Sequence, residues 1–199
     1  VTSEPGRREI SDLRTLRALS HPRRYAVFQQ LSVLGPATSA SLARAMQLNT
    51  GATSYHLREL AKFGFVEEYQ PQEGAHGRER WWRVVPGDLR FPPPSRQTPQ
   101  IRELFDEMNR QAYLADVELF EQLRRESDGL GVWADAFLSS RGTIQVSPDE
   151  LSQFFEELIA LVNKYKRDGG GDQTRTVLTR FFAFPAPEQS TEQSTERNS

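Results

Sequence analysis

Between Thr50 and Trp82 the chain reads TGATSYHLRELAKFGFVEEYQPQEGAHGRERWW, and this stretch leaves few folds open. Leu57, Leu60, Ala61 and Gly64 recur at helical spacing, so from about Leu57 the segment predicts an amphipathic helix that ends at Gly64 with this stripe toward a core. Thr53, Ser54, His56 and Arg58 fall largely off the stripe and crowd the helix's first half. Phe65–Tyr69 and Arg80–Val85 then read as two strands. Between them Gly74 and Gly77 allow a turn, and His76, Arg78 and Arg80 give its tip a basic character.

The residues upstream supply the partner of that helix. Pro22 suits the first turn of a helix, where its missing N–H removes no bond. That helix carries Tyr25, Val27, Phe28, Leu31 and Leu34 and stops at Gly35-Pro36. Thr38 or Ser39 can cap a short helix through Leu42, Ala43 and Met46, and a turn over 47–51 leads into the next. Two short helices joined by a few residues, the second with exposed polar and basic groups, predict a helix-turn-helix. The basic hairpin behind them makes it a winged one. The first half of such a second helix meets base edges in the major groove of duplex DNA. Thr53, Ser54, His56 and Arg58 are therefore the candidate DNA-binding residues, with Arg44 from the helix before. His76, Arg78 and Arg80 fit a wing that grips phosphate or reaches into the minor groove. Arg23 and Arg24 are further candidates for the backbone.

A net charge of −2 over 199 residues is no signature of a nucleic-acid binder, but the charge is segregated. Residues 1–90 hold 13 Arg and Lys against 9 Asp and Glu, and residues 91–199 hold 12 against 18. A basic half joined to an acidic half points to two different tasks. The absence of cysteine excludes disulfides, thiolate metal sites and Cys nucleophiles. Apolar runs fall short of a membrane span and the start lacks the apolar middle of a signal peptide, so the expectation is a cytoplasmic protein with no membrane partner. Three histidines, with no Ser-His-Asp, HExxH or phosphate-loop pattern, argue against an enzyme. Gly74 and Gly77 precede a strand rather than the helix that a phosphate loop requires.

The fold class expected is mainly α with small β. A winged helix-turn-helix domain over 10–88 is followed by a Pro-rich linker over 89–98. A C-terminal helical α+β domain for dimerisation or effector binding spans 99–185, and 186–199 forms a disordered tail. A helix is expected to begin near Ser11, with Leu13, Leu16 and Leu19 inward. The long helix from Pro99 to Arg125 carries Leu104, Phe105, Met108 and Ala112, taken as the dimerisation face, and a second apolar stripe of Tyr113, Val117 and Phe120. Ser147-Pro148-Asp149-Glu150 predicts a capped start for a helix to about Lys166. Thr143–Val146 and Thr174–Phe184 read as strands.

LRALSHPRRYAVFQQL (Leu16–Leu31) resembles the leader helices of ArsR-type bacterial winged-helix repressors. SYHLRELAKFGFV (Ser54–Val66) resembles their recognition helix and entry to the wing, and GRERWW (Gly77–Trp82) their wing and second strand. The resemblance covers 12–86 and implies a homodimer on a palindromic operator, acting on transcription. It does not extend to metal sensing. Members that sense metals often place Cys in the helix before the recognition helix, where this chain has Ser41–Met46 without one. Others use His and acids on the dimer helix, and 101–125 has acids but no His. No cofactor or metal ligand is expected.

Two readings stay open for the aromatics Trp133, Phe137, Phe154, Phe155, Phe181, Phe182 and Phe184: a pocket for an apolar small-molecule effector, or a core and dimer interface. A winged-helix module that binds protein instead of DNA is the other alternative; it would be expected to have lost the arginines of the helix and wing.

Overall fold

The computed structural model describes residues 6–71, 79–166 and 174–187. It divides into two units, 1–168 and 169–199. In the second, residues 174–187 adopt no helix or strand and are exposed. The strand expected over Thr174–Phe184 is thus absent, as is the one over Thr143–Val146. An isolated β-prone run has no ladder to join, and side-chain propensity alone does not hold a strand.

The first unit opens with β1 (Arg7–Glu9), α1 (Leu13–Ser20) and α2 (Pro22–Leu34), followed by β2 (Ala37–Thr38), α3 (Ser39–Ala45) and α4 (Thr50–Lys62). Strands β3 (Val66–Tyr69), β4 (Trp81–Val84) and β5 (Asp88–Arg90) follow, then α5 (Pro99–Arg125) and α6 (Pro148–Lys164). Asp12, one residue beyond the expected start at Ser11, caps α1 by accepting from Thr15 N at 2.8 Å. Thr38 caps α3 in a reciprocal box with Ser41, and Ser147 does the same for α6 with Glu150, as its sequence predicts. Strands β2, β4 and β3 form an antiparallel sheet in that order, with Glu67 opposite Arg83 and Glu68 opposite Trp82. No described helix is long and apolar enough to cross a membrane.

One core serves the helices α1 to α5 and the sheet between them, while α6 contributes no buried residue. Leu16 and Leu19 of α1, Val27 and Leu31 of α2, Leu42 of α3, Leu57 and Leu60 of α4, Phe65, Val66 and Trp82 pack together. Ile101 and Met108 of α5 join them, because α5 lies against α1. Leu104 and Phe105 are half-buried on the same core, and the Phe105 ring packs at a tilt against Phe91, centroids 4.5 Å apart. Most of the residues expected at a dimer interface are therefore engaged within the chain. Beyond Met108, α5 leaves apolar surface to solvent, most of all at Leu114 (61% exposed) and Val117 (59%), which lie opposite the stripe of Ile101 and Met108, and also at Tyr113, Leu119 and Phe120.

The N-terminal strand straps this core. β1 pairs in parallel with β5, and Arg8 donates from its guanidinium to Gly64 O at 2.7 Å and Phe63 O at 2.6 Å. These carbonyls end α4, so Arg8 supplies the cation that a helix C-terminus favours. Where the strap crosses β5 the two backbones nearly touch: Gly87 has φ +139°, and a Cβ there would lie 2.3 Å from Gly6 O. Gly87→Ala should lower stability by about 1–3 kcal/mol, the usual cost of forcing such a conformation. Gly129→Ala, with open space around it, should be nearly neutral. Urea denaturation of the two variants checks this; equal midpoints would refute the close approach.

Candidate nucleic-acid interface

The turn between α3 and α4 is built from backbone bonds. Leu48 N donates to Ala43 O at 2.8 Å while Gln47 takes φ 52°, so α3 closes with a left-handed residue that is not glycine. Asn49 then caps α4, its Oδ1 accepting from Gly51 N at 2.8 Å and Ala52 N at 3.3 Å. At the far end Phe65 N reaches Leu60 O at 3.1 Å and Gly64 takes φ 65°. Both ends of α4 are thus held, and its N-terminal half is free of a following turn.

The inner face of α4 comprises Thr53, His56, Leu57 and Leu60, all buried. Thr53 and His56 are therefore not on the outer face where the sequence reading put them. The reason is phase: Thr53 precedes Leu57 by four residues and His56 precedes Leu60 by four, so both continue the apolar stripe one turn earlier. Thr53 Oγ1 donates to Asn49 O at 3.1 Å and is satisfied within the helix. Ser54 is half-buried on the flank. Arg58 is exposed, its Nε donating back to Ser54 O at 3.2 Å, and Arg44 is exposed at the end of α3. Gly51, Tyr55 and Lys62 complete the outward face. Tyr55 was missed in the sequence, although it stands two residues before Leu57 and so nearly opposite that stripe.

In the wing, the described residues are the stem. Arg83 pairs with Glu67 at 2.6 Å, and the exposed Arg80 pairs with Glu68 at 3.1 Å and lies 5.9 Å from the Trp82 ring centroid. Trp82 is in the core as expected. Gly74, His76, Gly77 and Arg78 lie outside the described residues. Arg24 is occupied elsewhere: it donates to Ala18 O at 2.5 Å and Arg17 O at 3.0 Å, capping α1. Arg23 is exposed. Among the described residues no group of three or more His, Cys, Asp or Glu is placed to hold a metal.

His56 packs beside His21, the rings 5.5 Å apart, and its Nδ1 is buried without a hydrogen-bond partner. Burial, and then the nearby His21, Arg24 and Arg23, hold its pKa below the usual histidine value. The unfolded chain therefore binds a proton at higher pH than the folded one. The stability due to neutral His56 is complete above about pH 6.5 and is lost as pH falls below it. Urea midpoints should decline from pH 7.5 to pH 5.5 in the wild type and decline less in His56→Phe. Identical slopes would show that His56 is not held neutral.

Residues 19–69 match the family model described as a helix-turn-helix domain. No curated protein matches the chain. Among solved structures, one described as a possible transcriptional regulator for arsenical resistance is 28% identical over 51% of this chain and 96% of its own, with TM-score 0.32. An ArsR-like transcriptional regulator from Rhodococcus sp. RHA1 is 20% identical over 56% and 92%, with TM-score 0.30. A MarR family transcription regulator is 21% identical over 76% and 75%, with TM-score 0.34. The family model matches the two helices and the turn between them, and the SYHLR and GRERWW segments lie in and just behind it. On the family match, residues 19–69 form a helix-turn-helix domain.

Proposed function

We propose that this protein binds double-stranded DNA sequence-specifically, as a homodimer on a palindromic operator, and represses transcription. The observation that carries DNA binding is the outward row of α4. Its buried face fixes Gly51, Tyr55, Arg58 and Lys62 on the opposite side, with Ser54 on the flank and Arg44 on the preceding helix. Ser54 and Arg58 are assigned to base edges, and Arg44 and Arg80 to phosphates. The pair that holds Arg80, to Glu68, is exposed and of small worth, so Arg80 can exchange it for a phosphate. Thr53 and His56 support the helix from within.

Arg58→Ala should weaken binding to a selected site by about 1–3 kcal/mol and hardly change binding to scrambled duplex. Arg80→Ala should weaken both alike. For a dimer neutralising on the order of 6–10 phosphates, log affinity falls linearly with log salt at roughly −0.9 per contact. Duplex titrations across salt concentrations check all three, and a nearly flat salt dependence would favour a protein-interaction module.

Dimerisation is supported by the part of α5 beyond Met108, where Leu114 and Val117 are exposed on a helix whose first turns are packed in the core. Apolar groups on such a face are stabilised by a second copy, and two-fold dimers are the commonest assemblies. Leu114→Glu with Val117→Glu should give a helical monomer at micromolar concentration. Met108→Asp should unfold the chain, because Met108 is buried within it. Sedimentation with circular dichroism separates the two outcomes; a wild type that sediments as a monomer would overturn the dimer.

A further inference from the structure

Tyr55 stands in the middle of the row that α4 turns to solvent, with Gly51 four residues before it and Arg58 three after. Half of its surface is exposed. Its ring is braced from the side by the buried His56 ring, edge-on at 5.5 Å, and His56 is held in turn against His21. An aromatic ring fixed by a buried neighbour loses little freedom on meeting a partner.

A helical side chain leans toward the preceding turn, and there the residue on the same face is Gly51, which has no side chain. Glycine so near a helix start weakens the helix relative to alanine. Here a Cβ at 51 would lie 3.0 Å from Asn49 Oδ1, the capping oxygen itself, so the cap and the clearance both favour glycine. The result is a flat apolar plate over a bare stretch of backbone, at the helix end that enters a major groove. The apolar landmark of that groove is the C5-methyl of thymine.

Resting on the DNA-binding reading above, we propose that Tyr55 is a specificity-determining residue of the interface, reading the C5-methyl of a thymine in each half-site with its ring. Arg58, three residues on along the same face, supplies the polar contact to a neighbouring base.

The test begins with wild-type protein and a random duplex pool, from which bound sites are selected. Each thymine of the recovered site is then replaced singly by deoxyuridine, which removes only the methyl. Wild type should lose about fourfold in affinity at one thymine per half-site, the worth of one buried methyl. Tyr55→Phe should keep that sensitivity. Tyr55→Ala should lose it, together with the preference for thymine at that position, while its affinity for scrambled duplex stays at the wild-type level. A wild type indifferent to every replacement, a recovered site without thymine, or a Tyr55→Ala variant that remains methyl-sensitive would overturn the role of Tyr55 while leaving DNA binding intact. Failure of the wild type to enrich any sequence would overturn the sequence-specific reading itself, and Tyr55's role with it.

Discussion

The seating of α4 decides what the rest of the molecule can present. Leu57 and Leu60 are fully buried against α1, α2 and α3, and Thr53 and His56 extend the same face by a turn. Burying such side chains stabilises by about 1.5–3 kcal/mol each, far more than any exposed contact on the opposite side. The exposed row therefore has no freedom to rotate: it lies where the core leaves it. A substitution on the inner face would shift that row without being part of it.

Rotation about the helix axis is settled by the core, but the angle and position of α4 are settled by its ends. The left-handed Gln47 and the Asn49 cap fix how the chain leaves α3 and enters α4. Gly64 and the Arg8 clamp fix where α4 stops and the wing begins. Arg8 comes from a strand that precedes the helix-turn-helix and pairs with β5, which follows the wing. The two ends of the domain are thus joined directly under the C-terminal end of α4, and the strap acts on α4 through main-chain carbonyls.

The long helix α5 divides its labour. Near its start Ile101 and Met108 belong to the core, so this part of α5 is continuous with the helix-turn-helix domain. Farther along, Leu114 and Val117 face away from it. A rigid helix that is core at one end and exposed and apolar at the other would fix the separation of two DNA-binding domains if a second copy packs there. α6 is linked to the same domain by polar contacts: Arg90 pairs with Glu156 at 3.0 Å, and Asp88 accepts from Asn163 and Lys166.

Local chemistry was legible in the residues themselves. Capping at Thr38 and at Ser147 with Glu150, the stop at Gly64 and the two wing strands follow from interactions close in sequence, which a linear sequence records. Three features needed the folded chain. The inward turn of Thr53 and His56 depends on where the apolar stripe begins, and a polar side chain joins a core only when its neighbours can enclose it and satisfy or tolerate its polar atoms. The capture of Leu104, Phe105 and Met108 depends on α1, some 85 residues away, arriving at that face of α5, and no periodicity names the partner. The strands expected at Thr143–Val146 and Thr174–Phe184 had the right side chains but no neighbouring strand, and a ladder needs two. The sequence by itself therefore determined the fold class and the ends of several helices, because these are set by short-range backbone bonds. Which polar and apolar groups remain outside to meet a partner was decided only by tertiary packing, because burial is a property of the whole assembly of elements.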